Sequence, residues 1–251
     1  HDIVIQGGSS AIAGASAAIT SSGSQNLYAG NNLLIQAGSA DGASAKAQAT
    51  SSQSVSTGGN VSVLGGAGVG SSAALQGSNL SMSALQGSLT VQGGSGDNAF
   101  AEIVSSAGGQ SIGNQNTYYY SPTDFILVQG GGGAGAYASI RSTGSQTLQT
   151  AGNVSVLGGG GSGTYAEVYS SGGSQTIGST GNYYTPATQN IVVQAGAGGI
   201  ARIEAAGSQS IMAGGNIFVL GGSGTGMTAA IQSTASSQNI GNTYIAYYND
   251  A

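Results

Sequence analysis

Residues 60–66 read Asn-Val-Ser-Val-Leu-Gly-Gly, and the same seven letters return at 153–159. Alternating apolar and polar residues, β-branched and closed by a glycine pair, are the mark of a short strand running into a tight corner. Looser copies are Ile3–Gly8, Leu33–Gly38, Leu89–Gly94, Ile126–Gly131, Ile191–Gly196 and Ile217–Gly222, which makes eight in all. With the residue before each small pair as a ruler (6, 36, 64, 92, 129, 157, 194, 220), the spacings are 30, 28, 28, 37, 28, 37 and 26. A fixed period of this length is the signature of a stacked-repeat architecture.

Two further strings recur inside each period. One is small-x-apolar, as in Ala18-Ile19, Glu102-Ile103, Ser139-Ile140, Glu167-Val168, Arg202-Ile203 and Ala230-Ile231. The other places Gln two residues before an apolar residue: Gln25, Gln53, Gln110, Gln146, Gln175, Gln209 and Gln238, with the coil near Asn79 departing from the rule. Three short strands per period predict an all-β fold: one parallel β-helix (β-solenoid) of about eight coils spanning residues 1–251. A βαβ sheet is a poor alternative, because its helical crossovers would need good helix formers and the connecting segments are Gly and Ser. The long spacings hold Tyr-rich additions near 113–124, 178–189 and 241–251, and both prolines lie in the first two. Pro cannot donate to a central ladder, so these segments are expected to protrude.

Only 11 of 251 residues are charged, 48 are Gly, and there is no Cys or Trp. Such a composition suits disorder when apolar residues are scattered, but here they recur as strands, which implies a core. Three basic residues leave nucleic acid an improbable partner, and no apolar run reaches the roughly 18 residues of a membrane helix. The chain starts at His1 rather than Met. That reads as N-terminal processing, and sets the expectation of a secreted, extracellular or cell-surface protein.

The search for chemistry returns little. A single His and no Cys remove Ser-His-Asp catalysis outside the first residue, thiol catalysis and zinc-thiolate sites. The lone Lys46 sits between alanines rather than in a phosphate loop. Residues 93–97 (Gly-Gly-Ser-Gly-Asp) resemble part of a calcium β-roll repeat, with the Asp displaced and no tandem copy. The expectation is therefore no catalytic, cofactor-binding or metal residues. Glu102, Glu167 and Arg202 fall on one aligned row, and the predicted contact of Glu167 with Arg202 reads as a solvated ion pair rather than a glycosidase dyad. Asn60, Asn79 and Asn153 each open an N-x-S sequon.

Stacked Gln residues are expected to form an amide ladder along the axis: Gln25, Gln53, Gln110, Gln146, Gln175, Gln209 and Gln238. A long spacing counted from Leu220 passes Ala251 and lands on Gln6 of a second copy laid end to end. The string Tyr247 to Ala251 followed by His1 to Gln6 then matches Tyr183-Tyr184 leading to Gln194. The expectation is a homopolymer of identical subunits, head to tail, through His1, Asp2, Ile3, Ile5, Gln238, Ile240, Tyr247 and Tyr248, with an axial repeat of about 38 Å for eight coils at about 4.8 Å each. Covalent continuation of the same repeat in a longer polypeptide fits the sequence equally well. The alternative function is adhesion, with Tyr118, Tyr119, Tyr120, Tyr183, Tyr184, Tyr247 and Tyr248 binding glycan or another surface; a β-helical carbohydrate enzyme comes third.

The strings at Asn60, Asn153 and Asn190 and the Ser-Gln-x-apolar repeats resemble the β-helical repeats of large secreted exoproteins, including adhesins of the filamentous-haemagglutinin type. That resemblance implies an extracellular right-handed β-helix with an adhesive or fibre role.

Overall fold

The computed structural model describes residues 1–9, 13–113, 122–181 and 186–241, apart from the side chains of 83–85. The chain is an all-β parallel solenoid of eight coils, three strands to a coil, with no helix among the described residues. Coil 1 consists of Ile3–Gln6, Ser16–Ser21 and Gln25–Ala29, and coil 8 of Ile217–Leu220, Ala229–Ser233 and Gln238–Gly241. Equivalent strands stack into three eight-stranded sheets, each pairing only with the coil before and after it. The eight anchor strings form the first sheet, the small-x-apolar strings the second and the Gln strings the third.

Register follows the sequence rows. Along the first sheet Ile35, Val63, Val91, Val128, Val156 and Val193 lie on one inward line, and all are fully buried. Alternation along each strand sends every second side chain inward, so a four-residue strand contributes two residues to the core. Ile103, Ile140, Val168 and Ile203 meet that core from the second sheet, and Ile112, Leu148, Ile177 and Ile211 from the third.

Two glycine rows set the corners. The second member of each small pair is Gly in all eight coils because consecutive corners nest: a Cβ on Gly66, Gly94, Gly131 or Gly159 would lie 2.0–2.2 Å from the carbonyl oxygen one coil earlier. Four residues further on, Gly42, Gly70, Gly135 and Gly163 take φ of 64–69°, and Asn98 occupies the same row at φ 55°. Asn is the residue that best tolerates this left-handed backbone after Gly.

The described residues on either side of the first two long insertions lie at one corner, between third and first sheets, in register with the coils around them. Asp124 N donates to Gly87 O at 3.1 Å and Gln189 N to Gly152 O at 2.9 Å, which reconnects each segment to the coil before it. Thr123, Thr150 and Thr188 are fully buried at this corner, where Thr150 Oγ1 donates to Thr123 O and Thr188 Oγ1 to Thr150 O, both at 2.7 Å. Pro122 and Pro186 lie beside them, outside any strand.

Candidate functional site

The third sheet carries the Gln row on its inward side, at the bend from the second sheet. Gln146 Nε2 donates to Gln110 Oε1 at 2.8 Å, Gln175 to Gln146 at 2.8 Å, Gln209 to Gln175 at 2.7 Å and Gln238 to Gln209 at 2.5 Å. In each of these four bonds the NH2 belongs to the later coil and the accepting oxygen to the earlier one. The same nitrogens also reach second-sheet carbonyls, as Gln175 Nε2 does to Val168 O and Glu204 O at 3.2 and 3.0 Å. One side chain thus satisfies the ladder and the bend together, which a buried amide requires.

The ladder runs through five coils rather than the expected seven. Leu80 takes the Gln position of coil 3, in register with Gln53 and Gln110. Below that gap Gln25 and Gln53 are buried, and the Oε1 of each has no hydrogen-bond partner.

A second directional row precedes the first sheet. Asp2 Oδ1 accepts from Asn32 N, Asn32 Oδ1 from Asn60 N, Asn60 Oδ1 from Ser88 N, each at 2.9 Å. It resumes as Asn153 Oδ1 accepts from Asn190 N at 3.1 Å and Asn190 Oδ1 from Asn216 N at 2.8 Å. Asn60 and Asn153, read from sequence as sequons, are exposed members of this row.

The outer faces of the three sheets differ in chemistry. The first sheet has no charged residue in any of its eight strands. The third presents mainly hydroxyl and amide residues, such as Asn26, Ser54, Thr147, Thr176 and Asn239. The second holds all three basic residues and all three glutamates of the chain.

The expected pairing of Glu167 with Arg202 is present, but as a buried centre rather than a solvated contact. Glu167 is 1% exposed: Arg202 holds Oε2 through Nε at 2.7 Å and through NH2, while Arg141 Nε lies 2.9 Å from Oε1. Arg141 escaped the sequence reading because it sits two residues along the strand and one coil away, a diagonal neighbour. Burial works against the Arg202 charge, but the hydrogen bond and charge of Glu167 outweigh it and hold the guanidinium more basic than usual. Glu102, on the same row, accepts instead from Gln76 Nε2 at 2.7 Å.

Beside this network Phe100, Tyr137 and Tyr165 stack in register, ring centroids 4.9 and 4.6 Å apart and ring planes nearly parallel. The spacing is that of the coils, so the rings stand edge-on to solvent. Burial first, and then the charge of Glu102, push the Tyr137 hydroxyl well above its ordinary range, and burial raises Tyr165 as well. This aromatic row was legible two residues before Glu102, Ser139 and Glu167, where the sequence reading looked instead to the added segments. Tyr118, Tyr119, Tyr120, Tyr183, Tyr184, Tyr247 and Tyr248 lie outside the described residues.

The expected polymer contacts fall on the two terminal coils. His1 and Asp2 are exposed, Ile3 is half-buried and Ile5 buried; at the other end Gln238 and Ile240 are exposed. Val219, Ile231 and Ile240 occupy inward rows whose members in coil 7, Val193, Ile203 and Ile211, are fully buried, yet Val219 is 47% and Ile240 46% exposed. The inward residues of coil 8 are therefore less covered than their counterparts in coil 7. Among the described residues no group of three His, Asp or Glu side chains converges as a metal site.

Fold and faces together define the class: a parallel β-solenoid of eight turns with three strands per turn. No protein family, curated protein or solved structure matches the chain.

Proposed function

We propose that this chain is a structural subunit of an extracellular filament, polymerising head to tail by stacking coil 8 of one copy on coil 1 of the next. The observation that carries the reading is the row-by-row match of the two coils. Laid on one another in the register of every other step, Ile217 meets Ile3, Val219 meets Ile5, Ile231 meets Ile19, Ile240 meets Leu27 and Gln238 meets Gln25.

Polarity matches as well. The Gln238 carbonyl would accept from Gln25 as each earlier Gln accepts from its successor, and Asn216 Oδ1 would accept from the backbone N–H of Asp2. Open ladder edges favour such pairing, since each strand edge carries unpaired N–H and C=O groups. The contact is heterologous, so it propagates rather than closes. The extracellular setting rests on the repeat-level resemblance to secreted exoproteins of the haemagglutinin type. A second reading, a surface adhesin, is favoured by the aromatic and charged outer face of the second sheet, which offers Tyr and Arg side chains to a glycan or another surface.

Electron microscopy of the purified protein in dilute neutral buffer tests the filament. Fibres with an axial repeat near ~38 Å and a layer line near ~4.8 Å are expected. Monodisperse particles would overturn it and bring the adhesin forward.

A further inference from the structure

The outer face of the first sheet has no role in axial stacking. Its outward positions form two columns, one of residues such as Val4 and Leu34, the other of residues such as Gln6 and Gln36. Half of the sixteen positions are apolar and none is charged; Val4, Phe218 and Leu220 on the two terminal coils are 58%, 42% and 44% exposed, and Leu34, Leu64, Leu127, Leu157 and Val192 between them are half-buried. A long, uncharged, exposed strand face is what soluble β proteins ordinarily avoid.

We infer that this face is a lateral interface with a second copy of the same chain, running antiparallel, so that two filaments pair face to face. The inference rests on the head-to-tail reading. A two-fold axis along the strands, between coils 4 and 5, sets coil 1 against coil 8, coil 2 against coil 7 and so on, each column facing itself. Like then meets like: Val4 faces Phe218, Leu34 faces Val192, and Leu64 faces Leu157. Polar residues also find their own kind, with Ser62 on Ser155, Gln36 on Gln194 and Gln92 on Gln129. Asp2, the charge flanking coil 1, comes opposite Asn216. Two pairs break the rule, Thr90 with Leu127 and Gln6 with Leu220. The parallel arrangement turns each column onto the other and puts Leu64 opposite Ser62, losing the apolar match.

Area decides when pairing occurs. Eight strands at about 4.8 Å and four residues at about 3.3 Å give a face of about 38 by 13 Å, or about 500 Å². Two such faces bury about 1,000 Å² in total, short of the roughly 1,200–2,000 Å² of stable interfaces. Two stacked subunits on each side double it. Lateral pairing therefore follows axial growth, and the free subunit stays unpaired on this face.

The test is mass per unit length and cryo-electron microscopy class averages of filaments from the wild type, L64K, L157E and the double variant L64K/L157E. Both side chains point outward, and far-UV circular dichroism checks that each variant folds. L64Q alone, which sets an amide against Leu157 of the opposite copy, provides an uncharged version of the loss. The wild type is expected as paired filaments and each single variant at half the mass per length. The double variant is expected to regain pairing, because the introduced charges face each other only in the antiparallel register. Wild-type filaments of single width would overturn the lateral interface and leave the axial reading standing. Paired filaments that the single variants leave intact, or that the double variant does not restore, would overturn this face or this register. An absence of any filament would overturn the axial reading, and the pairing with it.

Discussion

Replacing Leu80 by Gln should leave stability close to that of the wild type, whereas replacing it by Ala should not. Leu80 is 2% exposed and lies in register between Gln53 and Gln110. Losing its burial costs about 1.5–3 kcal/mol. Against this, the introduced amide can donate to the unpartnered Gln53 Oε1 and accept from Gln110 Nε2. Two net hydrogen bonds at about 0.5–1.5 kcal/mol each return about 1–3 kcal/mol, and relief of the orphaned Gln53 oxygen adds to that side. The two sides cancel to within about 1 kcal/mol. The Ala variant loses the same burial, leaves a cavity and gains no bond, so it should fall by about 2–5 kcal/mol. Guanidinium denaturation followed by far-UV circular dichroism, comparing midpoints at unchanged slope, measures both. If L80Q is as unstable as L80A, the ladder does not stabilise by amide pairing, and Gln is present in the row for the bend alone.

Gly131→Ala should destabilise by at least the roughly 1–3 kcal/mol of core overpacking, because its Cβ would meet the backbone oxygen of Gly94 at 2.2 Å; Gly132→Ala, with nothing within 4 Å, should shift the thermal midpoint little. Thermal melts of the two neighbours compare a nested corner with an open one. Stability should also fall as pH climbs above the ordinary tyrosine value of 10.0, since Tyr137 and Tyr165 hold their protons more tightly folded than unfolded. Their contribution is complete below that pH and is lost as it rises toward the folded-state values, because there the unfolded chain binds fewer protons. Melts at pH 9 and 11 should show the drop, and Y137F/Y165F should flatten it; an unchanged slope in that variant would refute the assignment.

The repeats were legible because the core leaves each coil so little freedom. A four-residue strand with two inward side chains and a Gly that nests against the coil before it, as at Val61–Gly66, must look nearly the same in every turn. Gln175 and Gln209 were legible as a ladder for the same reason: a buried amide finds partners most readily in its own kind. What escaped were relations that run diagonally or depend on neighbours of a different type. Nothing at Leu80 announces that it strands an oxygen on Gln53. Glu167 looks like a surface acid in its own coil and becomes buried only when Arg141 and Arg202 close over it from the coils on either side. Asn stands before five of the eight anchor strings, but its side-chain to backbone bonds cross from one coil to the next, so Asn60 and Asn153 suggested glycosylation instead.

The corner held by Thr123, Thr150 and Thr188 carries a consequence for how such a chain can change over time. The described flanks of the first two added segments meet at the same vertex, and the buried threonines hold the stacking before the next strand starts. Loop length adds little closure cost, about 0.6 kcal/mol for each doubling. Sequence grafted at this vertex is therefore decoupled from the fold: a peptide tag, a binding loop or a cleavage site could be displayed at the axial positions of coils 4 and 6, provided the returning threonine is kept. The same freedom lets a lineage try new surface chemistry while the strands that hold the solenoid together stay unaltered.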